Sequence, residues 1–303
     1  DGSNNSATSP ESPAEPLQFS TNGLTITDTT VADFGAASSD TCYVSNTSGG
    51  EVILPPTLAA EFSGAVLPAG WADYAWTGGI STVAGGKVSV NGSRLNQSDT
   101  TGFTAGRSLE FVATFKSVTY QNIGFAAGDN DTAEPSSGAL ADGTQPWAMF
   151  GKSTATDHIF SRINSTGTSV DVDLGPVTEA PHLYKIEWLA DNTVNFFIDG
   201  VLKDSRLASF GAVLMRSVIS DYANDGTTLD VDWMRMSPYV SPCTFTSRVF
   251  DAGTPVVWDQ MTWNGSTPAG TSLAMSYRIG NSPTPDGMWS GFVPASVSPA
   301  TLA

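Results

Sequence analysis

Hydrophobic residues in the middle of this chain recur at alternate positions. In Leu109-Glu-Phe-Val-Ala-Thr-Phe115 the odd positions put Leu109, Phe111 and Phe115 on one face. Tyr184, Ile186 and Trp188 share a face while Lys185 and Glu187 take the other. Asp191-Asn192 then supplies a tight turn, and residues 194–198 follow as a hairpin partner closed by Asp199-Gly200. Further on, Leu229, Val231 and Trp233 alternate with Asp230 and Asp232. Near the end Leu273, Met275, Tyr277 and Ile279 do the same, with Trp258, Trp263 and Trp289 as core candidates. Period 2 predicts strands, and strands with little helix over ~180 residues predict a two-sheet sandwich or jelly roll.

The same pattern divides the chain. Residues 1–16 hold no hydrophobic cluster and are rich in Ser, Asn, Pro and acid, which predicts a flexible lead. They lack the basic start and apolar stretch of a signal peptide, so the chain reads as a mature, secreted form. Leu17 and Phe19, then Leu24 and Ile26, alternate across an Asn22-Gly23 turn. Residues 30–56 and 243–303 share a short-strand character and hold one cysteine each, like one small sandwich cut open. The expected organisation is a lead over 1–16, the first part of a split sandwich over 17–56, a larger inserted sandwich over 57–240, and the second part over 241–303. Cys42 and Cys243, the only cysteines, are expected to form a disulfide, the alternative being two buried thiols.

Charge narrows the partners. With 14% charged residues and a net charge of −17, the chain repels phosphate backbones and anionic lipid, which argues against nucleic-acid binding. No apolar run approaches the ~20 residues of a membrane span, so no membrane insertion is expected. An acidic chain suits calcium, a hard cation that takes oxygen ligands. His158 and His182 are the only histidines, which argues against zinc, and no Gly-x-Ser-x-Gly elbow occurs.

Three motifs in order, Glu61-Phe-Ser-Gly64 with Leu67-Pro-Ala-Gly-Trp71, YKIEWLADNTVNFFIDGVLK from Tyr184, and LDVDWMRM from Leu229, carry a resemblance. They are similar to the opening strand, late hairpin and closing strand of the concanavalin A-like lectin/glucanase superfamily, nearest its laminarinase-type glucanases and their non-catalytic relatives. The resemblance covers residues 61–239 and implies an all-β, concanavalin A-like jelly-roll sandwich, here inserted into a second, smaller β-sandwich. Glucanases of this type carry a Glu-x-Asp-x-x-Glu strand that aligns nucleophile, helper and acid/base on one face. The glutamates of the middle segment are Glu61, Glu110, Glu134, Glu179 and Glu187, no two of them four or five apart. Asp171/Asp173 and Asp230/Asp232 have no third acid. The chain is therefore expected not to be an enzyme.

The resemblance also implies a structural calcium ion held by Glu61 and Asp232. Two acidic loops, Asp129-Asn-Asp131 and one running from Asp221 to Gly226, are weaker candidates. Sugar recognition needs aromatic platforms beside polar groups. Trp76, Tyr120, Trp147, Phe160 and Tyr222 are available, with Asn122, His158 and Arg162 near them in sequence. The expected ligand-binding residues are Trp147, His158, Arg162, Tyr120 and Trp76, with Trp147 and the run 157–162 as the best cluster.

The two outer stretches resemble a β-sandwich repeat of bacterial surface and secreted proteins, without the repeat's final aromatic strand. An unfinished sandwich offers an open edge, to be completed by further chain or by a strand such as residues 17–26 of another copy. The expected function is an extracellular, cell-surface carbohydrate-binding or adhesive module whose partner is a polysaccharide or surface glycan. The alternatives are a filament subunit binding copies of itself by strand addition and, third, a glucanase-like hydrolase.

Overall fold

The structure is a computed structural model that describes residues 17–21, 23–37, 39–98, 102–127, 146–152, 157–165 and 168–302. The expected lead over 1–16 and the acidic loop at Asp129 to Asp131 lie outside the described residues. The chain divides into two compact units, one of Asp1–Pro55 with Tyr239–Ala303 and one of Pro56–Pro238. With 53% strand and 3% helix the protein is all-β, the class that the alternation predicts.

In the larger unit eleven strands hydrogen-bond in series. The first layer runs Ser169–Pro176, His158–Asn164, Trp147–Gly151, Gln121–Ala126, Arg216–Asp221 and Lys87–Gln97. From Lys87–Gln97 the series passes to Leu229–Tyr239, Arg107–Thr114, His182–Trp188, Thr193–Ile198 and Val201–Leu207, the second layer. Lys87–Gln97 belongs to both. Along one edge its residues 93–96 pair with 218–221 and its residues 88–90 with 229–231. Trp71–Ala84 follows the opposite edge, with a break in register between Ala75 and Ile80.

Glycine makes this passage possible. Gly92 has φ +62°, and a Cβ there would lie 2.8 Å from Asn224 Cβ. A Cβ on Gly79 would lie 1.7 Å from the Gly92 carbonyl oxygen. Backbones come so close here that neither position has room for a side chain, and the bulge between Ala75 and Ile80 absorbs the extra residues.

The core lies between the layers. Leu95, Ile123, Phe125, Phe150, Ile163 and Ile219 come from the first, and Leu109, Phe111, Ile186, Trp188, Phe196 and Met234 from the second. Phe150 meets Phe196 edge-on at 5.1 Å and Tyr184 at 4.9 Å, so the layers interlock through rings. The expected face of Leu109, Phe111 and Phe115 is buried, as is that of Tyr184, Ile186 and Trp188. The closing strand departs from its expected alternation. A bulge between Val231 and Trp233 reverses the parity, so Met234 and Met236 join the core while Trp233 packs separately with Val112 and Leu183.

The smaller unit has a four-stranded sheet in the order Leu24–Asp28, Leu17–Thr21, Trp258–Trp263, Ala300–Thr301. Met261, Tyr277, Ala295, Ala300 and Leu302 form its core, with Leu17, Phe19, Trp258 and Trp263 packed against them. Helix Val31–Gly35 starts with a capping box between Thr30 and Asp33, and buries Phe34. The expected disulfide is present: Cys42 and Cys243 are bonded, with Cα atoms 5.0 Å apart. The segment expected as a donor strand is used within its own chain. Leu17–Thr21 pairs with Leu24–Asp28 on one edge and Trp258–Trp263 on the other, which does not favour assembly by strand donation.

Candidate functional site

The first layer turns one face to the core and the other outward. Antiparallel register lines up the outward residues in rungs across the strands. One rung reads Ala72, Asn96, Val218, Gly124, Met149, Arg162, Asp171. The next reads Tyr74, Arg94, Ser220, Asn122, Gly151, Phe160, Asp173. A shorter third reads Arg216, Ala126, Trp147, Asn164, Ser169. Residues from seven chain segments thereby share one face, which carries arginine, asparagine, serine and aromatic side chains, most of them buried.

Arg162 ties the rungs together. Its Nε donates to Asp171 Oδ2 at 3.0 Å and its Nη1 to Asn122 Oδ1 at 2.8 Å, while the guanidinium lies 5.2 Å from the centre of the Trp147 ring. Gly151 leaves the space for this, because a Cβ there would lie 2.0 Å from Asn122 Oδ1. Trp147 is 3% exposed and packs with Ala126, Met149 and Val218, so it forms the floor beneath Arg162 rather than an open platform. His158 stands at the start of its strand with Nδ1 2.7 Å from Asp173 Oδ2. The Gly175 N–H, and then His158, hold the Asp173 carboxyl below the usual carboxylate range.

Beyond the second rung three aromatic rings meet. Trp76 lies 5.0 Å from Tyr222, and Tyr120 lies 5.7 Å from Tyr222 on its other side, both edge to face. Tyr120 and Tyr222 are 42% and 46% exposed. Tyr120 has φ +63°, a left-handed conformation that a bulky residue adopts only where its surroundings hold it. The Tyr222 N–H donates to the Tyr120 carbonyl at 3.3 Å and fixes the two loops to each other.

Of the five expected ligand-binding residues, the structure brings Trp147 and Arg162 together beneath the face and Trp76 and Tyr120 together at its end. His158 lies on the rim, engaged by Asp173. Arg94, in the second rung, carried no signal in the sequence, where it stands between Ser93 and Leu95. What surrounds it depends on which strands pair.

Of the expected calcium ligands, Glu61 is engaged by an arginine. Glu61 accepts from Arg235 Nε at 3.2 Å and from Arg235 Nη2 at 3.4 Å, and the Arg235 guanidinium also lies 4.2 Å from the Trp233 ring centre. Among the described residues no three His, Cys, Asp or Glu side chains gather as metal ligands would. Glu61 is thus part of an ion pair. In the loop from Asp221 to Gly226, Asp221 is buried and Asp225 accepts the Thr227 N–H at 2.8 Å.

This is a two-layer jelly-roll sandwich with an aromatic and polar outer face. No protein-family description and no curated protein matches the chain. Among solved structures it is similar to an endo-β-1,3-glucanase from Pyrococcus furiosus, at 14% identity and TM-score 0.43, over 63% of this chain and 95% of that one. It is similar to a laminarinase from Flavobacterium sp. UMI-01 at 13% identity and TM-score 0.45, over 61% of this chain and 100% of that one. The carbohydrate recognition domain of Emp47p is similar at 12% identity and TM-score 0.44, over 62% and 95% of the two chains. These likenesses are of fold. The expectation that the chain is not an enzyme is corrected here: it rested on the absence of one strand motif, and the similar structures include proteins described as glucanases.

Proposed function

We propose that the larger unit binds a polysaccharide on the outer face of its first layer, in an extracellular setting. The observation that carries this reading is the cluster of two exposed tyrosines, Tyr120 and Tyr222, with the half-buried Trp76, beside rungs of amide, hydroxyl and guanidinium groups. Flat rings receive the apolar faces of pyranose units, and the neighbouring donors and acceptors bind their hydroxyls. The disulfide supports an oxidising compartment.

The test is affinity electrophoresis and sedimentation with soluble and insoluble β-glucans, using the intact chain and a Tyr120→Ala/Tyr222→Ala double variant. Binding is expected to weaken by ~10-fold or more in the double variant, since exposed aromatic anchors dominate such contacts. Unchanged binding would remove the site, and no binding to any polysaccharide would remove the reading. Reducing-sugar release in the same samples reports hydrolysis directly.

A further inference from the structure

Arg94 stands in the second rung between Tyr74 and Ser220. Its side chain is 1% exposed. Nε donates to Asn96 Oδ1 at 3.2 Å, and the guanidinium lies 5.0 Å from the centre of the Tyr74 ring. Among the described residues neither Nη1 nor Nη2 has a hydrogen-bond partner, and both are shielded from solvent. The outer fork of the guanidinium, with its four N–H groups, is thus enclosed without a partner among the described residues.

This is an unusual way to keep a charge. Burial, with the nearby charge of Arg216 acting in the same direction, lowers the Arg94 pKa to about 10, which still leaves it protonated at neutral pH. Guanidinium groups taken from water are normally paired, and one left unpaired destabilises the fold by several kcal/mol. Buried polar groups without partners are rare and call for an explanation such as a ligand. The fork's geometry states which ligand: two coplanar or near-coplanar oxygens sharing a negative charge, as in a carboxylate or a sulfate ester. The chain has 30 acidic residues, yet none of the described carboxylates is hydrogen-bonded to these two nitrogens.

We propose that the glycan bound on this face contains an acidic sugar, whose carboxylate or sulfate group displaces the side chains that shield Nη1 and Nη2 of Arg94 and is received by them. The proposal rests on the polysaccharide reading above and adds the chemical class of the ligand. The net charge of −17 limits it further. Long-range repulsion disfavours a densely charged polyanion and favours a glycan with acidic units spaced among neutral ones. Salt screens that repulsion beyond ~10 Å at 0.1 M but hardly touches a buried contact, so affinity holds or rises with salt, opposite to a surface basic patch.

The test is isothermal titration of the intact chain with trigalacturonic acid, a sulfated galactose trisaccharide and neutral laminaritriose. At least one acidic trisaccharide is expected to bind ~10- to 100-fold more tightly than the neutral one, the range of a charge-assisted hydrogen-bond pair. Which of the two it is distinguishes carboxylate from sulfate. In Arg94→Met the preference for acid is expected to fall to about one, and in Arg94→Lys, which keeps charge but loses the fork, to an intermediate value. Arg94→Met is expected to keep or raise Tm, because an unpaired buried charge is removed; a structural arginine would show the reverse. Equal affinity for neutral and acidic trisaccharides, or a preference for acid that survives both substitutions, overturns the inference and leaves the polysaccharide reading standing. No binding to any of the three removes the inference, and the polysaccharide reading falls with it only if the β-glucans of the earlier test also fail to bind.

Discussion

Asp221 ends the strand Arg216–Asp221 with its carboxylate on the core side, where Gln121 Nε2 donates at 2.9 Å and the Ala223 N–H at 3.2 Å. Burial, and secondarily the charge of Asp225, outweigh those bonds and push its pKa up to about 7. An unfolded chain would have this group near 3.8, so the folded state holds its proton the more tightly. The stability this confers is fully present below pH ~4 and is lost as pH rises through ~7, a span worth up to about 4 kcal/mol. Asp221→Asn is expected to flatten the profile. Urea unfolding between pH 4 and 8 checks it, and a wild-type curve as flat as the variant's would count against the assignment. At this scale the sequence was least informative. Nothing in the order of residue types marks Asp221, Arg94 or Glu61, and each acquires its character from distant parts of the chain. The Arg235 that takes Glu61 is 174 positions away.

Strands were legible wherever alternation ran unbroken, because period 2 in hydrophobicity is the direct mark of a sheet with one buried face. Leu109, Phe111 and Phe115 are buried as expected. Legibility ended at bulges. The one between Val231 and Trp233 left no trace in the string of residue types, and it moved Trp233 to the opposite face from Val231. The bulge opposite Gly92 is equally silent, although it lets one strand serve both layers. Gly79→Ala tests that passage. Its new methyl would meet the Gly92 carbonyl oxygen at 1.7 Å, so backbone must move. The expected cost is about 1–3 kcal/mol or more, as for overpacking elsewhere. A shift in the urea midpoint reads it, with Gly85→Ala, where a Cβ meets nothing but φ is +63°, as the comparison for backbone strain alone. Equal stability of Gly79→Ala and wild type would mean that the strands do not approach in this way.

For the molecule as a whole the disulfide offers a reading of cooperativity. Cys42 and Cys243 are 201 positions apart, a loop whose closure is worth about 5 kcal/mol in the chain-entropy account. That holds only if everything inside the loop unfolds with the smaller unit. The larger unit holds its own ends together, since Thr57 Oγ1 donates to the Pro238 carbonyl at 2.7 Å. If it stays folded, fewer than ~20 residues remain in the loop, and the contribution falls to about 3 kcal/mol. A Cys42→Ser/Cys243→Ser variant followed by calorimetry separates the cases: two transitions with only one lowered for independent units, one transition lowered by the larger amount for a single cooperative block. No change in any transition would show that the bond does not stabilise the fold.

Residue types in order were enough to establish an all-β protein and its only possible disulfide, because periodicity and cysteine count are properties of the string. They were also enough to name Trp76, Tyr120, Trp147 and Arg162 as chemistry without a place. Pairing register gave them places. It set Arg162 over Trp147, gathered Trp76 and Tyr120 around Tyr222, committed Glu61 to Arg235, and left the fork of Arg94 buried and without a partner among the described residues. Register decides such matters because a strand's neighbours come from distant parts of the chain, and a shift of one residue turns every side chain to the other face.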